Sequence, residues 1–182
     1  MTPEPGLSSI NVVASAVDAS LLDFGGHTSP DGAITLLLSD LEGGQELDAD
    51  VVRDHNALVR QLIAAHDGSV ASQQDDGFMA SFASAHSGLR CAIEMQKAFA
   101  GRLKPRIGLH SGFLIADADA FYGRNVVLAA RIADHAKGGE ILVSDHLREY
   151  TSTDPTFRFE DRGAVRFKGL LGSHRVFSVQ WG

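Results

Sequence analysis

AITLLLSDLEGG, residues 33–44, decides how the rest of the chain is read. Its first seven residues, Ala33 to Ser39, form a continuous apolar run. Such a run predicts a central strand buried on both faces. Asp40 follows at once, so its carboxylate sits where a stiff strand meets the sheet edge. Leu41–Glu42–Gly43–Gly44 then lead toward a helix. A glycine turn before a helix start leaves backbone N–H groups free to face an anion. A carboxylate beside such a cradle suits Mg²⁺, which takes one or two carboxylates together with phosphate oxygens. Local sequence alone leaves a plainer alternative, in which Asp40 only caps the following turn.

Working outward, residues 48–66 carry Val51, Val52, Leu58, Val59, Leu62 and Ile63 at helical spacing. SVASQQ (69–74) and DGFMASF (76–82) predict a hairpin turning at Asp75–Asp76–Gly77. A second helix is expected over 84–100, with Leu89, Ala92, Ile93, Gln96 and Phe99 on one stripe. PRIGLHSGFLI (105–115) reads as a strand and 124–136 as a third helix, closed by Lys137–Gly138–Gly139. A strand at 139–144 and a short helix at 145–152 follow, and FRFEDRG, AVRFKG and HRVFSVQW supply the last strands. The order β-α-β-β-α-β with further elements predicts an α+β, ferredoxin-like sandwich with a C-terminal extension.

Asp76 is the second carboxylate of interest. An Asp–Gly pair is the ordinary hairpin signal and by itself means only a turn. If that hairpin pairs beside the first strand, however, Asp40 and Asp76 lie at one edge. Two carboxylates there suit two metals ~3.5–4 Å apart, the arrangement used for in-line phosphoryl displacement.

These segments resemble one family. ITLLLSDLEGG is similar to the first metal motif of the class III adenylyl and guanylyl cyclases, and QQDDGFMASF to the second. HDGSV, PRIGLHSG, FYGRNVVLAARIADHAKGGEILVS and the closing FRFEDRGAVRFKGLLGSHRVFSV fall in the family's order, so the resemblance covers roughly residues 33–180. It implies a cyclase homology domain over 33–182, after an extension at 1–32. It also implies head-to-tail homodimers with nucleotide sites at the interface, ATP or GTP as substrate, and Mg²⁺ or Mn²⁺, two per site, held by Asp40 and Asp76. Arg131 matches the transition-state Arg supplied by the other subunit. Leu41, Gly43 and Gly44 match the phosphate-side turn, Lys168 falls near the triphosphate, and Phe121–Tyr122 fall at the dimer interface.

Three positions depart from the family pattern. The purine-selecting Lys falls on Ser72, its partner Asp on Ala120, and the ribose-fixing Asn on Val127. Asp119 is one place from Ala120. Asn125 is two residues from Val127, about 200° around a helix, so it does not face the same way. A site without fixed partners for the base edge discriminates purines poorly. Two readings therefore stay open: a slow or weakly selective nucleotidyl cyclase, or an inactive homodimeric module that binds nucleotide or only transmits signals.

Composition bounds these readings. The 182 residues carry 16 basic and 23 acidic side chains, a formal net charge of -7. That charge argues against non-specific nucleic-acid binding, which displaces phosphate counterions with a basic surface. The lone cysteine, Cys91, allows no internal disulfide and reads as a small buried residue. No run approaches the ~20 apolar residues of a membrane span, and MTPEPGLSS lacks a signal-peptide pattern, so a cytoplasmic protein is expected. Residues 1–9 are expected to be disordered and 23–32 to be a linker. Between them Ile10, Val13, Val17 and Leu21 form a narrow helical stripe over 10–22, which packs on the domain or pairs with a second copy. His110 reads as structural, and His55, His66 and His135 show no ligand pattern.

Overall fold

The computed structural model describes residues 8–15, 33–113 and 118–182, giving the backbone alone at 12, 15, 113 and 118–123. β1 (Ala33–Leu41) is buried at every residue and lies at the middle of the sheet. Its antiparallel neighbours are β3 (Gly77–Phe82) and β4 (Pro105–Phe113). The seven-stranded order is β2-β3-β1-β4-β5-β7-β6, with β2 at Ser69–Gln74, β5 at Ile141–Ser144, β6 at Arg158–Val165 and β7 at His174–Gln180. β5 joins β4 in parallel; the other pairings are antiparallel.

Two-residue periodicity sends alternate side chains to opposite faces. Leu37, Phe78, Phe82, Ile107, Leu109 and Val143 face α2 (Ala49–Ala65) and α3 (Ala85–Phe99) in the main core. Ser84 caps α3, its hydroxyl accepting the Ser87 N–H at 3.2 Å. On the other face, Ile34, Leu36, Leu38 and Met79 meet α4 (Ala118–His135). α5 (Asp145–Thr151) follows β5. The expected βαββαβ order with an extension is the order found.

α1 (Ser9–Ser15) also packs on this second face, its Ile10 and Val13 fully buried among Leu36, Met79 and Ala130. An isolated helix needs ~12–15 residues to be even marginal in water, so the order of α1 comes from docking. Val17 and Leu21 of the expected stripe, and the expected linker, lie outside the described residues.

Three expectations need correction. FRFEDRG and the first two residues of AVRFKG run into one strand, β6 (Arg158–Val165), which absorbs an irregularity between Asp161 and Ala164, and residues 166–173 are loop. α4 starts at Ala118 rather than 124. On α2, Val51 is exposed, and His55 takes a core position one turn before Val59. Cys91 is buried as expected, and burial pushes its thiol up to about 12. Among the described residues no helix is long and apolar enough to cross a membrane.

Candidate active site

The register of β1 and β4 sets Asp40 opposite Arg106. Arg106 Nε donates to Asp40 Oδ1 at 2.7 Å, and Nη2 donates to Oδ2 at 2.6 Å. Asp40 is only 3% exposed. Burial pushes its carboxyl above the usual range and the nearby Asp76 charge adds to this, while Arg106 pulls it back down. Hydrogen bonding to Asp40 in turn raises Arg106 above its ordinary value. A short two-point contact of this kind favours the carboxylate form and only partly offsets the rise. On its other side Arg106 approaches the Asp134 carboxylate at 3.6 Å, which ties the end of α4 to the same rim.

Asp76 reaches this rim from the β2–β3 turn. Asp75 takes the positive φ there, at 53°. Asp76 Oδ2 accepts the Leu41 N–H at 2.8 Å, the amide directly after Asp40. Two carboxylates 36 positions apart in sequence thus converge at the end of β1. Gly44 backs onto them: a β-carbon there would come 2.3 Å from Asp76 Oδ2. Gly43, with φ 69°, precedes a short 3₁₀ turn at Gly44–Glu46. A surface groove of about 600 Å³ runs past Gly44 and Asp76, lined also by Asn56, Arg60 and Gln73.

The donor set suits a hard cation, because it offers carboxylate oxygens at one rim. Among the described residues, no group of three or more His, Cys, Asp or Glu side chains could hold a metal alone. A cation here would need ligands from elsewhere, such as phosphate oxygens.

The remaining sequence-predicted residues are more scattered. Arg131 lies on α4, where its Nε donates to the Lys168 backbone carbonyl at 3.1 Å, so the structure ties the loop that carries Lys168 to this arginine. Its Nη1 donates to Asn11 Oδ1 at 3.4 Å. Ser72 is half-buried on β2, opposite Met79. Val127 is half-buried and lines a different cavity, of about 820 Å³, beside His110, Asn125 and His146. The side chains of Asp119, Ala120, Phe121 and Tyr122 lie outside the described residues.

His110 is held on both sides. Its Nδ1 lies 2.8 Å from Ser144 Oγ and its Nε2 lies 2.6 Å from Asn125 Oδ1. Ser144 also accepts the Leu147 N–H, so its hydroxyl is free to donate to His110. Burial drops the imidazole to about 4, and His146 and His174 add to the effect. This neutral, bridging ring is structural, as expected. The sequence reading gave Arg106, Ser9 and Asn11 no place at the site, and Ile10 only a place in a helical stripe. Arg106 was findable: an antiparallel pairing of the two apolar runs 33–39 and 107–109 puts a basic residue opposite Asp40.

Residues 28–180 match the family of the adenylate and guanylate cyclase catalytic domain, and the chain belongs to that family. An uncharacterized protein of Mycobacterium tuberculosis is 30% identical over 124 residues, 63% of this chain and 44% of that protein. A putative adenylate cyclase of Rhizobium meliloti is 27% identical over 122 residues, 62% of this chain and 21% of that protein. The chain thus spans less than half the length of these relatives. The fold matches that of the adenylyl cyclase CyaB from P. aeruginosa with a TM-score of 0.72, at 20% identity over 81% of this chain and 93% of that one.

Proposed function

We propose that the chain is a nucleotidyl cyclase that converts ATP, and less selectively GTP, to the 3′,5′-cyclic monophosphate and pyrophosphate. The observation that carries this reading is the convergence of Asp40 and Asp76 at one rim, with Asp76 bonded to the amide beside Asp40. Family membership supplies the reaction class, and the relative described as a putative adenylate cyclase favours ATP.

In this reading Asp40 and Asp76 would hold Mg²⁺ or Mn²⁺, which would supply positive charge beside the triphosphate and lower the pKa of the ribose 3′-hydroxyl. Leu41, Gly43 and Gly44 line the phosphate side of the rim. The reaction forms a bond from the ribose 3′-oxygen to the α-phosphorus, and the bond to pyrophosphate breaks. Arg131, from the second copy of a head-to-tail homodimer, stabilises the charge that develops on the phosphates, and Lys168 stands beside it. Ser72 offers the base edge one hydroxyl, whereas Ala120 and Val127 offer no polar atom. The resulting enzyme is slow and weakly purine-selective. Its reduced Cys91 and nucleotide substrate suit the cytoplasm.

The test is an assay of purified protein with Mn²⁺ or Mg²⁺ and ATP or GTP across protein concentrations, since a shared site exists only in the dimer. Cyclic monophosphate is expected, with Asp40→Ala lowering it by ~10³-fold or more. Metal–nucleotide binding without product at any concentration would instead mark a non-catalytic module, the reading that the missing polar groups at Ala120 and Val127 favour.

A further inference from the structure

α1 stands on the proposed metal rim. Ser9 Oγ donates to Asp76 Oδ1 at 2.5 Å. The Ile10 backbone N–H faces the Asp40 carboxylate and favours its charged form. Asn11 Oδ1 accepts from Arg131 Nη1. Three consecutive residues therefore engage both carboxylates of one proposed site and the arginine that the same chain lends to the proposed site of a second copy.

With α1 docked, every oxygen of the two carboxylates has a protein donor. Arg106 takes both oxygens of Asp40, Leu41 takes Asp76 Oδ2, and Ser9 takes Asp76 Oδ1. Asp40 and Asp76 are 3% and 4% exposed in this arrangement. A cation that bonds Asp76 Oδ1 from the open side must displace the Ser9 hydroxyl. It must also accept the Ile10 amide, a positive dipole end, beside its own charge, and that combination is repulsive.

The docking is built rather than incidental. Ile10 and Val13 are 0% exposed, seated between the sheet and α4. The turn itself is shaped for α1: a β-carbon at Gly77 would come 2.7 Å from the Ser9 carbonyl oxygen. Ser8 closes the start of the helix, its hydroxyl accepting the Asn11 N–H at 3.2 Å.

We infer that α1 is an intramolecular cap, and that its docking on Asp40, Asp76 and Arg131 excludes the loading of metal and nucleotide. The inference rests on the reading of Asp40 and Asp76 as metal ligands. Apparent affinity then equals the intrinsic affinity scaled by the fraction of molecules with α1 released. Linkage is reciprocal, so metal and nucleotide binding must release α1.

The full chain serves for the test, with Ile10→Asp/Val13→Asp to release α1 and Ser9→Ala/Asn11→Ala to remove only its side-chain bonds. Mn²⁺ is titrated by electron paramagnetic resonance in the presence of a non-cyclisable ATP analogue, which supplies the phosphate oxygens that the rim lacks, and amide exchange is followed at residues 9–15. The double Asp variant is expected to bind Mn²⁺ ~10-fold or more tightly than the parent, and the double Ala variant several-fold more tightly. In the parent, Mn²⁺ with a non-cyclisable ATP analogue is expected to raise exchange over 9–15. If the double Asp variant loses its cooperative melt, the double Ala variant and the parent exchange experiment decide. Equal Mn²⁺ affinity in released and parent protein, or binding with α1 still protected, overturns the cap while leaving the cyclase reading intact. Tighter Mn²⁺ binding without any cyclic nucleotide keeps the cap and overturns the cyclase reading. A released variant that takes up no Mn²⁺ overturns both.

Discussion

Asp40 and Arg106 face each other across paired strands and close a two-point ion pair at 2.7 and 2.6 Å. With only 4% of the Asp40 side chain and 19% of the Arg106 side chain exposed, the pair is largely removed from water. Removing one partner of such a pair leaves an uncompensated charge and costs about 3–5 kcal/mol, whereas replacing both with apolar residues of similar volume is far milder. Arg106→Met is therefore expected to lower the thermal midpoint by about 10 °C, and Asp40→Leu/Arg106→Met is expected to recover most of that loss. Thermal unfolding of the two variants decides it. Equal destabilisation in both would mean that the pair contributes net stability.

His110 sets an acid limit on the fold. Its folded value of about 4 lies below the ordinary 6.5 because burial disfavours the imidazolium. The unfolded chain therefore binds the proton more readily, so this contribution is complete above pH ~6.5 and is lost as pH falls toward 4. The groups facing the ring are Ser144, Asn125, His146 and His174. Full titration is worth about 3 kcal/mol. Urea unfolding at pH 7 and pH 4.5 should show that loss in the parent, and His110→Gln should show a smaller difference between the two pH values. A variant with the parent's slope would assign the acid sensitivity elsewhere.

In the proposed site Ser72 and Ala120 stand at the purine edge, which makes that edge the place to gain selectivity. Ser72→Lys/Ala120→Asp restores a donor and an acceptor for the base. A site built to hydrogen-bond a substrate group rejects an analogue lacking it by up to ~10⁴–10⁵, and a partly exposed edge is expected to reach ~10². The ratio of kcat/KM for ATP over GTP should rise accordingly. Val127→Asn should act differently, raising kcat about tenfold or more through ribose positioning. An unchanged purine ratio in the double variant would show that the base lies away from β2.

The fold was legible because β1 is apolar at nearly every position and the turn at Asp75–Asp76–Gly77 set β2 beside β3. Asp40 was legible because it follows an apolar run, and Asp76 because it stands in an Asp–Gly hairpin turn. Arg106 was harder to see, since its pairing with Asp40 depends on strand register, which no local pattern states. The docking of α1 was harder still: Ile10 and Val13 make a stripe too narrow to announce a partner, and Ser9 and Asn11 resemble ordinary capping residues. On α2, hydropathy favoured Val51 for the core, yet helical phase placed His55 there. β6 read as two strands because the irregularity before Ala164 looks like a break in sequence.

The last prediction concerns where Arg131 acts. Within one chain it contacts Lys168 and Asn11, and no described contact links it to Asp40 or Asp76. In the proposed head-to-tail dimer its guanidinium would serve the partner's carboxylates instead. Asp76→Asn and Arg131→Ala proteins should each be inactive alone. Mixed in equal amounts they form heterodimers in which one site lost both groups and the other kept both. With random exchange about half the dimers are mixed and each has one intact site, so about a quarter of parental activity should return. The measurement is cyclic monophosphate formation before and after mixing, at protein concentrations where subunits exchange. A mixture as inactive as its components, in a protein whose parent is active, would mean that one chain supplies the arginine and both carboxylates to the same site.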